Sequence, residues 1–186
     1  MNKTIITLAA ISILIIGCNT DKKQNPFLIN KQSIGWLTDS TQVKDLALAF
    51  PNDSIVKGYL KGDEFTGQNS DIEIYSTAGE RLLSLTPSQM LDSTSVIESI
   101  QVRSASYRTE QQISNKSTFK EIKDAYKISS INNLINSIVI SVNDINASFT
   151  IDKKELPANL RYDMTLKIDA VQIPDNAKIK YFIIHW

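Results

Sequence analysis

Acyl transfer without a metal needs an activated nucleophile: a thiolate, a hydroxyl beside an imidazole, or a serine beside a lysine. This chain offers each sparingly. It has one cysteine, Cys18, one histidine, His185, and two Ser-x-x-Lys tetrads, Ser54-Ile55-Val56-Lys57 and Ser117-Thr118-Phe119-Lys120. His185 is the penultimate residue, so a Ser-His-Asp set would have to be assembled around a strand terminus. A structural place on the polar face of an edge or terminal strand is the simpler expectation. The second tetrad sits at an expected helix start, as serine acylation by such a tetrad requires, but its companion motifs are missing and the pattern arises by chance in a Ser- and Lys-rich chain. The six glycines form neither a Gly-x-Ser-x-Gly elbow nor a phosphate-cradling loop. Asn143-Asp144-Ile145-Asn146 with Asp152, and Gly62-Asp63-Glu64 with Asp71, could give oxygens to a hard cation, yet neither has the spacing of a calcium loop. Turn chemistry accounts for Asn and Asp there. No catalytic, cofactor-binding or metal-ligating residue is assigned, and the chain is not expected to be an enzyme.

Cys18 has a different setting. Lys3 is followed by the apolar run Ile5–Ile16, then the small Gly17, then Cys18. Basic residue, apolar core and small residue are the three parts of a secretory signal. About a dozen apolar residues are too few to span a hydrocarbon core of roughly 30 Å as a helix, so residues 1–17 read as a cleaved signal peptide. The tetrad Ile15-Ile16-Gly17-Cys18 resembles the lipobox of bacterial lipoproteins. The resemblance implies that the Cys18 thiol carries lipid, that cleavage makes Cys18 the first residue, and that its new α-amino group is acylated, with palmitate among the expected chains. Each buried methylene contributes about 0.8 kcal/mol, and more than one acyl chain gives lasting anchorage. With its single thiol lipidated, the chain has none left for a disulfide, a zinc site or a nucleophile. Asn19 stands where inner-membrane retention in well-studied Gram-negative bacteria uses aspartate, which implies the outer membrane.

Twenty basic and twenty acidic residues balance. Near-neutrality provides no basic field for nucleic acid, so no nucleic-acid partner is expected. The polar stretch Asn19–Asn25 and Pro26 continue into a tether expected to run from the lipidated Cys18 to Ser33. The apolar Phe27-Leu28-Ile29 within it carries the alternative of an ordered arm. Residues 34–186 suffice for one well-buried domain.

That domain has a weak internal repeat. Val43, Leu46, Ala47 and Phe50 fall at i, i+3, i+4 and i+7, a helical apolar stripe stopped by Pro51, and Phe119, Ile122 and Tyr126 repeat the spacing. Ser40-Thr41 and Ser117-Thr118 precede the stripes as candidate caps, and Thr118 with Glu121 has capping-box spacing. Strands are expected at 54–61, 70–76, 81–86, 96–103, 137–142, 147–151 and 178–186, with turns at Lys61-Gly62-Asp63, Ala78-Gly79-Glu80 and Asn143–Asn146. The stretch 156–175, bounded by Pro157 and Pro174, has no firm assignment. The expected fold class is α+β: a mainly antiparallel sheet built from two helix-then-strands units, about 34–103 and 104–186.

Arg81-Leu82-Leu83-Ser84-Leu85, Ile97-Glu98-Ser99-Ile100-Gln101-Val102-Arg103 and the C-terminal Lys178–Trp186, together with the order of helix, strands, helix and a last strand ending in tryptophan, resemble small envelope-stress-regulated lipoproteins of proteobacteria. The likeness runs from about Ile34 to Trp186. It implies an outer-membrane lipoprotein facing the periplasm and implies no activity. Those relatives carry a cysteine pair in the second half, which this chain lacks, so their disulfide cannot belong to a shared mechanism. Asp39-Ser40-Thr41, Asp53-Ser54-Ile55 and Asp92-Ser93-Thr94 resemble the O-glycosylation signal of Bacteroidota. Trp36, Trp186, Tyr181 and Phe182 could form a core cluster or an exposed platform, and core packing is favoured. The expected function is a lipid-anchored envelope protein that binds another protein; the alternative is a small-ligand or glycan-binding lipoprotein.

Overall fold

The computed structural model describes residues 25–58 and 71–186. In chain order the elements are β1 (Leu28–Asn30), β2 (Ser33–Ile34), β3 (Leu37–Thr38), α1 (Leu46–Ala49), β4 (Ser54–Lys57), β5 (Ile72–Tyr75), β6 (Arg81–Pro87), β7 (Ile97–Val102), β8 (Arg108–Thr109), α2 (Phe119–Ala125), β9 (Ser130–Asn133), β10 (Ser137–Val142), β11 (Ala147–Asp152) and β12 (Ile179–His185). The fold is mainly antiparallel sheet with two short helices. Eight strands form one sheet in the order β4-β5-β6-β7-β12-β11-β10-β9, and a small sheet runs β3-β2-β1-β8.

Alternation sets the two faces of the large sheet. Ile72, Ile74, Leu83, Leu85, Ile100, Val102, Phe182, Ile184, Ala147, Phe149, Ile151, Ile138, Ile140 and Val142 point inward and are buried. Phe149 and Phe182, opposite each other on β11 and β12, stack with ring centroids 4.5 Å apart. Above this layer lie the helices, the small sheet and the stretch 153–177. That stretch consists of 3₁₀ turns at Lys153–Glu155, Ala158–Leu160 and Ala170–Gln172, and it seats Leu156, Leu160, Ile168 and Ile173 in the core. A lid of single turns has no long period, which is why its sequence resists assignment.

The helices are anchored alike. Val43 N–H donates to the Ser95 carbonyl and Lys44 N–H to that of Ser93; Phe119 N–H donates to the Ala177 carbonyl and Lys120 N–H to that of Asp175. Gln42 bridges Val96, and Thr118 bridges Lys178, both antiparallel. Thr118 does cap α2, with Glu121 closing a full capping box, an arrangement worth about 1 kcal/mol. Ser40 and Thr41 do not cap the first helix: Thr41 Oγ1 accepts from Thr38 N–H, and the position before the helix is Gln42. Because that helix opens with a 3₁₀ turn, Val43–Asp45, its apolar phase is advanced, and Ala49 rather than Ala47 packs on the core.

The N-terminal boundary also differs from the expected one. Residues 28–33, assigned to the tether, supply β1 and the start of β2; Ile29 is fully buried, as is Ile34 at the expected domain start. β1 pairs in parallel with β8, which ties the arm to the middle of the chain. The turn between β2 and β3 depends on Gly35, whose φ is +57° and where a Cβ would lie 2.2 Å from the Pro26 carbonyl oxygen.

Candidate functional site

The outward face of the large sheet carries mostly polar side chains. Pairing brings Val56, Glu73, Ser84, Gln101, Ile183, Ser148, Ser141 and Ser130 into one continuous row, one residue from each strand. Ser99, Thr86 and His185 form a second row at its centre, and Thr150 with Val139 a third. Serine and threonine are the commonest side chains in these rows, with Val56, Val139 and Ile183 among them, and Ser84, Ser148 and Thr150 are themselves buried. Its ionic trim is concentrated on β5 and β6. Ser84 Oγ donates to Glu73 Oε2 at 2.8 Å and accepts from Arg103 Nε at 2.9 Å, and Arg81 Nε lies 3.4 Å from the same Glu73 oxygen.

His185 stands on this polar face, as expected, but not at an edge. β12 lies between β7 and β11 because the last strands of the two halves pair with each other. His185 Nε2 is 2.8 Å from Ser148 Oγ; the hydroxyl donates when the ring proton is on Nδ1 and accepts when it is on Nε2. Burial pushes the imidazole pKa down and nearby Glu98 partly opposes it. A folded-state pKa below the unfolded value of 6.5 means that this group's contribution to stability is complete above that value and is lost as pH falls through the folded pKa. Between about pH 7.5 and pH 5, wild type should therefore lose more thermal stability than His185→Gln. Superimposable pH profiles for the two proteins would contradict this reading.

The other candidate residues do not assemble. Cys18 and Gly62-Asp63-Glu64 lie outside the described residues. Ser54 and Lys57 are three apart on a strand and so project to opposite faces. The Ser117 hydroxyl accepts from Ser114 N–H, while Lys120 pairs with Asp124 at 2.5 Å. The turn Asn143–Asn146 closes one end of the β10–β11 hairpin and Asp152 lies at the other, so they share no cation site. Its Asn146 takes the left-handed conformation, φ 48°, that favours asparagine. Asp71 instead accepts from Thr86 Oγ1 at 2.8 Å. Among the described residues no group of three His, Cys, Asp or Glu side chains could hold a metal. Thr94 N–H and Oγ1 both donate to Asp92, an ordinary turn cap that holds this carboxyl below its usual range.

The aromatic residues also divide. Phe182 is core, and Tyr181 projects from the opposite face, 38 % exposed. Trp36, half exposed, lines a groove of about 300 Å³ with Phe27, Phe50, Tyr107, Asp53 and Glu80. Phe27 and Tyr107 meet edge to face at 5.2 Å, and burial pushes the Tyr107 hydroxyl pKa up.

The sequence gives no hint of one further feature. A cleft of about 670 Å³ is lined by Ile135, Asn136, Asp152, Lys153, Lys154, Arg161, Tyr162, Met164 and Lys180. Lys153 is 4 % exposed, and its Nζ has no hydrogen-bond partner among the described residues. An ammonium removed from water without an acceptor costs several kcal/mol, so this position calls for an explanation. Within Asp152-Lys153-Lys154-Glu155 it reads as a solvated charge run; only the sequel to β11, turning inward behind Asp152, buries it.

No helix among the described residues is long and apolar enough to cross a membrane. No protein-family model matches the chain, and no curated protein matches it. Among solved structures, the uncharacterized protein yfeY from Escherichia coli is similar, with a TM-score of 0.54 at 13% identity over 85% of this chain and 99% of that one. At that identity the likeness carries the fold alone.

Proposed function

We propose that this chain is a lipid-anchored protein of the bacterial cell envelope, held through Cys18 to the outer membrane on its periplasmic side, and that its body is a non-enzymatic module that docks another envelope protein. The lipobox-like Ile15-Ile16-Gly17-Cys18 supports the anchorage. The docking role rests on one observation: a row across all eight strands, from Val56 to Ser130, half of it serine, on the face opposite the buried core layer. A hydrogen-bonding sheet face suits a protein surface of matching shape better than a small molecule, which needs a concave, largely enclosed site. The body is read as two copies of one helix-then-strands unit. The matching anchors Val43–Ser95 and Phe119–Ala177, and the paired bridges at Gln42 and Thr118, support the duplication.

A photoreactive residue at Gln101, in the middle of the face, should give one discrete cross-linked adduct in the native envelope, and the same residue at Lys44, on the helix side, should give none. The absence of an adduct at Gln101, or the same mixture from both positions, would count against docking through the sheet. The groove at Trp36 favours a second reading, glycan binding, because an exposed indole beside Asp53 and Glu80 combines ring stacking with acceptors for sugar hydroxyls.

A further inference from the structure

The geometry points to the cleft behind β11 as a binding site for a phosphate-class oxyanion carried on an amphiphilic or free body, with Lys153 as the buried donor. The inference goes beyond the docking reading and needs no partner protein.

Four cationic side chains, Lys153, Lys154, Arg161 and Lys180, line this cleft against one carboxylate, Asp152. That carboxylate is already engaged. Asp152 Oδ1 accepts from Lys154 N–H at 3.0 Å, its Oδ2 lies 3.4 Å from Lys180 Nζ, and these contacts hold its pKa low. Asp163, which feels the charge of Lys153, directs its Oδ1 to Thr165 N–H and Oγ1 instead. Neither acid hydrogen-bonds Lys153 Nζ, and the lining itself carries four cationic side chains against one carboxylate.

The cations are also held in place. Arg161 Nε donates to the Leu156 carbonyl at 2.7 Å and Nη2 to that of Lys154 at 3.1 Å, which fixes the guanidinium while leaving further N–H groups for a ligand. Lys153 N–H donates to the Asn136 carbonyl, so its side chain starts from a fixed backbone position. A planar, pre-positioned guanidinium beside a buried ammonium is the donor set that tetrahedral oxyanions select. A doubly charged oxyanion provides the acceptors that Lys153 Nζ lacks. The rim is apolar: Tyr162 is 87 % exposed, Ile135 70 % and Met164 54 %. A bare inorganic ion would leave that rim unused, whereas a phosphoester on an acyl or other apolar body would cover it.

The test uses the whole chain in neutral detergent, with binding followed by calorimetry and thermal unfolding. The ligands are inorganic phosphate, short-chain phosphatidylglycerol and, as a control, short-chain phosphatidylcholine. Wild type should bind phosphate and be stabilised by it, and Lys153→Met should weaken binding about tenfold or more, the factor carried by one charge-assisted hydrogen bond. Lys180→Ala, on the exposed rim, should weaken binding several-fold with little effect on unliganded stability, which keeps the test decisive should Lys153→Met fold poorly. Tighter binding of phosphatidylglycerol than of both phosphate and phosphatidylcholine assigns the oxyanion to a lipid headgroup; phosphate alone assigns it to a soluble source. If neither anion binds, or if Lys153→Met and Lys180→Ala bind as wild type does, the inference is overturned, and Lys153 is a structural lysine satisfied by solvent.

Discussion

Cys18→Ala should abolish incorporation of a clickable fatty acid in the native strain and leave a chain longer by residues 1–17. On the proposed anchorage the effect is large because both events depend on one sulfur. Thioether formation precedes cleavage in lipobox proteins, so without it neither the α-amino acylation nor the processing step has a substrate. Each methylene withdrawn from the bilayer forfeits about 0.8 kcal/mol, and several acyl chains are lost together. Cell fractionation should show the variant leaving the outer membrane, while Ser137→Ala, a surface change on β10, should label and fractionate as wild type. Unchanged labelling in Cys18→Ala would place the lipid elsewhere or remove it from consideration.

The second large effect belongs to the core. Phe182 is fully buried on the central strand and stacks on Phe149 across the β11–β12 pair. Truncation to alanine removes the ring and leaves a cavity between strands that both halves of the sheet share, at a cost of about 3–5 kcal/mol. For a domain of this size that corresponds to a fall of roughly 6–20 °C in the thermal midpoint. Tyr181→Ala, one residue away but on the outward face, should cost less than about 1 kcal/mol. Denaturant unfolding of the two variants side by side checks the assignment of faces; equal losses would mean that Phe182 and Tyr181 do not project from opposite faces of β12.

Much of the sheet is legible from the chain because its longer strands obey a period of two. Ser137–Val142, the turn Asn143–Asn146 and Ala147–Asp152 alternate cleanly, and the structure realises them as a six-pair hairpin. The capping box at Thr118 is similarly explicit, since it needs only two residue types at one spacing. What escapes is either too short or too dependent on distant partners. β1, β2, β3 and β8 have two or three residues each, fewer than one full alternation, and are strands only because Leu28–Ile29 finds Arg108–Thr109 far along the chain. The phase of the first helix is hidden by its 3₁₀ start, which moves Ala49 inward in place of Ala47.

The candidate sites follow the same division. His185 could be placed on a polar face from its alternation with Phe182 and Ile184, but its contact with Ser148 depends on the register of two strands distant in sequence. Lys153 was illegible for a physical reason: a lysine in a charged run is ordinarily solvated, and nothing local signals that the chain turns inward after Asp152. Trp36 and Trp186, which bracket the domain in sequence, serve different places, one in an exposed groove and the other at the end of the central strand, where its backbone N–H donates to the Glu98 carbonyl.

Mass spectrometry of the native polypeptide's N-terminal peptide, purified from the source membrane, bears on the anchorage that every proposed role presupposes. The predicted result is a chain that begins at Cys18, with a diacylglyceryl thioether on its sulfur and a fatty amide on its α-nitrogen. A chain that begins at Met1, or one cleaved near Gly17 with an unmodified Cys18, would contradict it.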